Sequence, residues 1–117
     1  MYSPEVLNHF QEPRNVGDVE SPDASVELQN PACGDVLRFT LKLEEGRIAD
    51  IRFRAKGCVP AIACASALTE LVQGRTLQQA RQITREELVL SLGFLPEASS
   101  HAAHLAIETF TKLLEKL

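Results

Sequence analysis

The strongest constraint on the fold is a hairpin pattern that two cysteines bracket. Residues 36–44 alternate apolar and polar side chains, Glu45-Gly46 is a turn signal, and residues 47–55 alternate again. Cys33 lies just before the first predicted strand, and Cys58 lies just after the second. Because these two ends lie side by side in an antiparallel pair, Cys33 and Cys58 can be neighbours.

The remaining segments complete an α+β pattern. Residues 25–28 alternate like a further half-buried strand, and after Cys58 the apolar period becomes helical. Helix-capping residues mark four helix starts: Ser3, Thr76, Thr84, and Ser99 or Ser100. We predict one domain over residues 1–117, a three-stranded antiparallel sheet with helices packed on one face. The other face is expected to be wet, with Arg38, Thr40 and Lys42 outward.

Size and charge exclude several classes of protein. A chain of 117 residues with 44% apolar residues can build one core, and its net charge of −4 gives no electrostatic footprint for nucleic acid. The apolar stretch 59–68 is too short to span a bilayer, and no secretory signal is visible. Three cysteines without an export signal favour a reducing cytoplasm, with thiols available for metal or sulfur chemistry.

Four residues form a candidate metal site: Cys33, Asp35, Cys58 and His101. Thiolate, carboxylate and imidazole together suit a tetrahedral borderline-soft metal. A glycine beside each cysteine lets the backbone approach a metal or cluster closely. Cys58 also precedes a predicted helix, whose N-terminus is expected to lower the thiol pKa. Taken singly, the same residues could be buried cysteines, a turn aspartate and a surface histidine.

Two further residues are possible substitute ligands. Cys64 lies on the rim of a predicted apolar helix stripe, where a buried structural cysteine is the first interpretation and a replacement third thiolate the second. His104 shares a helix face with His101 and is interpreted first as a solvated residue and second as a spare ligand. We see no chemistry that requires His9.

The chain resembles the IscU/NifU-type iron–sulfur cluster scaffold family from about residue 2 to about residue 110. Five sequence motifs carry the resemblance. In chain order they are His9-Phe10-Gln11-Glu12-Pro13-Arg14-Asn15-Val16-Gly17; Pro31-Ala32-Cys33-Gly34-Asp35; Lys56-Gly57-Cys58 with Ala61-Ile62-Ala63; Thr69-Glu70 with Gly74 and Leu77; and Leu95-Pro96 with His101 and Leu105-Ala106. Members of that family build a cluster on three cysteines and an aspartate, with a histidine beside the last cysteine. Cys33, Asp35, Cys58 and His101 match four of these five positions, and Ala102 stands where the third cysteine is expected.

The resemblance implies a scaffold rather than an enzyme. Such a protein assembles a transient [2Fe–2S] cluster from iron and from sulfur that a cysteine desulfurase delivers, and then passes the cluster to apo iron–sulfur acceptor proteins. With Ala102 in place, His101 becomes the natural fourth ligand. Zinc is expected in the purified protein, through the same four residues. Neither a nucleic acid nor a membrane is an expected partner.

Two alternatives remain open. One is a zinc-bound sulfur acceptor with a sulfurtransferase-like accessory role, although the short span from Cys58 to His101 is closer to the scaffold type. The other is a degenerate metal-binding regulatory paralogue, which the missing third cysteine favours. In the family, a chaperone-recognition motif follows Leu-Pro, but this chain has Leu95-Pro96-Glu97-Ala98-Ser99 there. The difference argues against transfer of the cluster through a dedicated chaperone.

Overall fold

The structure is a computed structural model, and it describes residues 1–31 and 34–117. The predicted ligand Cys33 therefore lies outside the described residues. The α+β prediction is confirmed. In chain order the elements are α1 (Pro4–Gln11), β1 (Ala24–Gln29), β2 (Val36–Glu44), β3 (Arg47–Lys56), α2 (Val59–Val72), α3 (Leu77–Ala80), α4 (Arg85–Ser91) and α5 (Ser100–Glu115), with a 3₁₀ turn at Glu97–Ser99 before α5.

The sheet is an antiparallel meander in the order β1-β2-β3. Glu45 and Gly46, with φ of 53° and 76°, form the tight turn that joins β2 to β3. Val36 at the start of β2 pairs with Lys56 at the end of β3. This register brings the residues that precede β2 next to those that follow β3, as the hairpin pattern predicts.

Helix α2 is the centre of the core. Its residues are apolar or small on almost every side, and ten of its fourteen are buried, which is typical of a helix that other elements surround. It packs against β3, α1, α4 and α5. Since α2 is held on all these sides, Cys58 at its N-terminus has a fixed position relative to the sheet. No helix in the described ranges is long and apolar enough to cross a membrane.

The outer sheet face is not uniformly wet, and the prediction for Thr40 is wrong. Thr40 is only 1% exposed, because the connection between α1 and β1 covers it. The backbone N–H of Val19 donates to Thr40 Oγ1 at 2.8 Å. Earlier in the same connection, Gly17 N–H donates to the Phe53 carbonyl, and Phe53 N–H donates to the Asn15 carbonyl, each at 2.9 Å.

The predicted helix caps occupy the expected positions, with two differences in their hydrogen bonds. Ser3 accepts from the backbone of α1, and Thr76 forms a full capping box at the start of α3. Thr84 accepts from Glu87 N–H at 3.1 Å, but the Glu87 carboxylate accepts from Arg75 at 2.6 Å. A full capping box would also need the Glu87 side chain to accept from Thr84 N–H, and the described residues show only the bond to the Thr84 side chain. Ser99 occupies the N-cap of α5 without a side-chain capping bond.

Candidate metal centre

Asp35, Cys58 and His101 come from distant parts of the chain and meet at one end of the domain. Their potential ligand atoms all lie within 4.8 Å of one another, in the one such group of the described residues. Asp35 Oδ2 lies 3.2 Å from Cys58 Sγ and 4.0 Å from His101 Nε2. Cys58 Sγ and His101 Nε2 are 3.9 Å apart. The arrangement supplies one oxygen, one sulfur and one nitrogen donor, three of the four donors that a tetrahedral metal site uses.

Asp35 is held by its backbone and by close packing. Its carbonyl accepts from Asn30 N–H at 2.8 Å, and Asn30 in turn accepts from Gly34 N–H at 2.7 Å. Gly34, at φ +77°, takes the left-handed conformation that this turn requires. The Asp35 carboxyl packs directly on the Gly57 backbone, because a Cβ there would lie 2.6 Å from both Asp35 Cγ and Oδ1. The glycine before Cys58 therefore makes space for the carboxylate rather than for the metal itself.

This packing makes Gly57 a positioning residue for the Asp35 carboxyl, a role that differs from the predicted close approach of the backbone to a metal. We expect Gly57→Ala to displace the Asp35 carboxyl and to weaken zinc binding by about tenfold, the lower end of the range for groups that orient metal ligands. Competition with a chromophoric chelator measures the affinity. The control repeats the substitution in an Asp35→Ala background, where it should add less than about twofold. An equal loss in both backgrounds would show that Gly57 acts by another route.

Cys58 is exposed at the N-cap of α2, and its Sγ donates to Asp35 Oδ2. The pKa of this thiol is raised, first because neighbouring protein atoms desolvate it, and also because of the Asp35 carboxylate, while the N–H of Ala61 lowers it. The predicted lowering by the helix N-terminus is present, but the opposing effects outweigh it, so the predicted net decrease of the pKa is wrong. A cation beside Asp35 would reverse the balance, since metal binding displaces the thiol proton.

His101 has the tautomer that ligation needs. Its Nδ1 lies 3.2 Å from the carbonyl oxygen of Ala98 in the preceding 3₁₀ turn. Because a carbonyl oxygen can only accept, this hydrogen bond places the ring proton on Nδ1. In the neutral ring, the lone pair is then on Nε2, the nitrogen that lies near Asp35 and Cys58, which is the usual arrangement for a metal-binding histidine.

The structure separates the two possible substitute ligands from this group. Cys64 is fully buried in the core, and burial raises the pKa of its thiol to about 12. Ala102, the expected cysteine position, is also buried at 1% exposure. His104 is exposed on α5 and lines a separate cavity.

His9 belongs to a polar cluster that the sequence analysis did not foresee. Its Nδ1 lies 2.8 Å from Ser66 Oγ, and its Nε2 lies 3.7 Å from Glu70 Oε1. The backbone N–H of Arg14 donates to the same Ser66 hydroxyl at 2.9 Å. Burial of the His9 ring lowers its pKa, as does the nearby Arg14 charge, against an opposing effect of Glu70. A neutral His9 thus joins the N-terminal segment to α2, the helix that carries Cys58 at its N-cap.

The fold and this group of donors agree with a comparison of the whole chain to known families. The family model described as NifU-like N terminal domain matches residues 1–116, and the chain belongs to this family. Among curated proteins, it is 40% identical to the "iron-sulfur cluster assembly scaffold protein IscU 1" of Archaeoglobus fulgidus, over 97% of this chain and 74% of that protein. It is 41% identical to the protein of Azotobacter vinelandii named "iron-sulfur cluster assembly scaffold protein IscU", over 90% of this chain and 84% of the relative.

Solved structures support the same fold. The N-terminal NifU-like protein of Brucella abortus superposes with a TM-score of 0.75 at 20% identity, covering 97% of this chain and 91% of its own. A scaffold protein of the SUF system from Fervidobacterium islandicum, described as putative in its own name, has a TM-score of 0.69 at 21% identity, with 97% and 93% covered. At these identities the likeness supports the fold alone.

Proposed function

We propose that this protein is a scaffold on which a [2Fe–2S] cluster is assembled and from which it is transferred. The observation that carries the proposal is the meeting of Asp35, Cys58 and His101 within 4.8 Å at one end of the domain. Membership of the NifU-like family and the names of the relatives support the same role. We assign Cys33 as the ligand that completes this group of three, because it lies two residues before Asp35 in the sequence.

The donor set suits a cargo that has to leave. Thiolates hold iron–sulfur clusters tightly, whereas a carboxylate is a harder and weaker ligand for them. Asp35 is close enough to compete for the same iron as Cys58, and its carboxylate supplies the replaceable ligand. His101 adds a neutral donor that is already oriented. In this proposal, the thiolates accept sulfur from a cysteine desulfurase and the finished cluster passes to apo acceptor proteins, so that the chain acts as a carrier rather than an enzyme.

The alternative is a zinc protein, either a sulfur acceptor or a regulatory paralogue. Two observations favour it: Ala102 replaces the expected third cysteine, and Cys64 is buried in the core. Two thiolates, one carboxylate and one imidazole make a closed tetrahedral set for Zn²⁺. We expect the same four residues to hold about one zinc per chain when no iron is offered.

Anaerobic reconstitution separates the two functions. The purified protein, first stripped of zinc, is given Fe²⁺ and sulfide, desalted, and analysed for iron, sulfide and visible absorption. The scaffold proposal predicts equal amounts of iron and sulfide bound to the protein, with a sulfur-to-iron charge-transfer spectrum. The same assay run with Zn²⁺ alone is the reference. Retention of zinc together with failure to hold iron and sulfide would favour the zinc protein.

A further inference from the structure

Two ligand-type side chains that the proposed cluster site does not use line a cavity between β1 and α5. His104 and Glu108, four residues apart on α5, both line this cavity of about 220 Å³. The two residues are on one face of the helix, because side chains at this spacing have Cβ atoms about 5–6 Å apart. The other lining residues are Gln29, Asn30, Pro31 and Leu105.

Two residues that line the cavity are linked to residues of the metal centre. On one side, Asn30 lines the cavity while its N–H donates to the Asp35 carbonyl at 2.8 Å. On the other side, His104 follows His101 by three residues, about one helical turn. The cavity is therefore connected to the metal centre by one hydrogen bond and by one turn of α5.

The chemistry of the cavity suits a divalent metal ion. An imidazole nitrogen and a carboxylate oxygen are donors for Fe²⁺, Zn²⁺ and Mn²⁺, and they form a harder set than the sulfur-containing centre. Of the six residues in the described part of the chain that line it, Glu108 is acidic and none is Lys or Arg. His104 is exposed, so that water can complete the coordination shell.

We propose that His104 and Glu108 form a docking site that holds a divalent metal ion next to the metal centre. The identity of the ion as Fe²⁺ for cluster assembly rests on the proposed scaffold function. The existence of the site does not, because it depends only on the two side chains and their shared cavity. A docked ion would exchange its His104 and Glu108 ligands for those of the metal centre without a change of oxidation state.

Paramagnetic broadening tests the site directly. The protein is loaded with one equivalent of Zn²⁺, which prefers the thiolate-containing centre, and is then titrated with Mn²⁺ below stoichiometry. Amide resonances of residues 104–108 and of Asn30 should broaden first. His104→Gln and Glu108→Gln should each raise the Mn²⁺ concentration needed by at least about fivefold. Glu115→Gln, the same change on a carboxylate further along α5, should not. Diffuse broadening, or local broadening that survives both substitutions, would overturn the proposal.

A separate measurement tests whether the docking site supplies Fe²⁺ to the metal centre during cluster assembly, which we call the loading role. At limiting Fe²⁺, we expect His104→Gln to slow the initial rate of cluster formation about threefold, and at excess Fe²⁺ the two rates should agree. Equal rates at limiting iron would overturn the loading role. Intact cluster formation without local Mn²⁺ binding would overturn the proposed docking site and leave the scaffold function in place. Local Mn²⁺ binding in a parent protein that never forms a cluster would defeat the scaffold function instead.

Discussion

Replacing Cys58 with alanine is expected to abolish cluster formation and to lower zinc affinity by about a hundredfold or more, because a thiolate ligand is lost. The fold should survive, since the Cys58 side chain is exposed and makes no capping bond to α2. Iron and sulfide analysis after reconstitution measures the first effect, and chelator competition measures the second. A folded variant that still holds a full cluster would remove Cys58 from the site.

The matched control for this prediction is Cys64→Ala on the same helix. Cys64 is fully buried, and its thiol, with a pKa of about 12, stays protonated near neutral pH. The substitution should cost about 1 kcal/mol of unfolding free energy through lost packing, and it should leave bound iron and sulfide within about a fifth of the parent's content. Loss of the cluster in this variant would identify Cys64 as the third thiolate and would require α2 to open.

Much of the fold could be predicted because it depends on local signals. The alternation of residues 36–44, the Glu45-Gly46 turn and the Thr76 capping box each act within a few residues. The hairpin then places the residues before β2 beside those after β3, which is why the proximity of Asp35 and Cys58 could be inferred from the order of elements. His101 joins them only through the packing of α5, which no local signal specifies.

The features that were missed depend on contacts between distant segments or on opposing effects. Thr40 is buried because a connection some twenty residues earlier in the chain crosses the outer sheet face. The sequence predicts that Gly57 lets the backbone approach a metal, whereas the side chain packed against it is the Asp35 carboxyl from a distant segment. The pKa of Cys58 is the balance between a helix N-terminus that lowers it and desolvation and a carboxylate that raise it. A sequence reveals that each effect exists, but the sign of their sum depends on distances.

Asp35→Ala should lengthen the lifetime of the reconstituted cluster in air by about an order of magnitude, and should slow its transfer to an apo acceptor to a similar degree. The reason is that the substitution removes the one oxygen donor of the described group, which is the weak ligand for iron beside a thiolate and an imidazole. Decay of the visible absorption in air measures the lifetime, and the appearance of cluster on a spectrally distinct ferredoxin measures transfer.

Asp35→Asn is the matched variant, because it keeps the shape of the side chain against Gly57 and removes only its charge. If the carboxylate acts as a replaceable ligand, both variants should hold the cluster longer than the parent, and Asn should be intermediate because its amide oxygen can still coordinate. If the carboxylate instead stabilises the assembled site, both variants should lose the cluster faster. Faster decay in Asp35→Ala would therefore reverse the role assigned to Asp35 while leaving Cys58 and His101 as ligands.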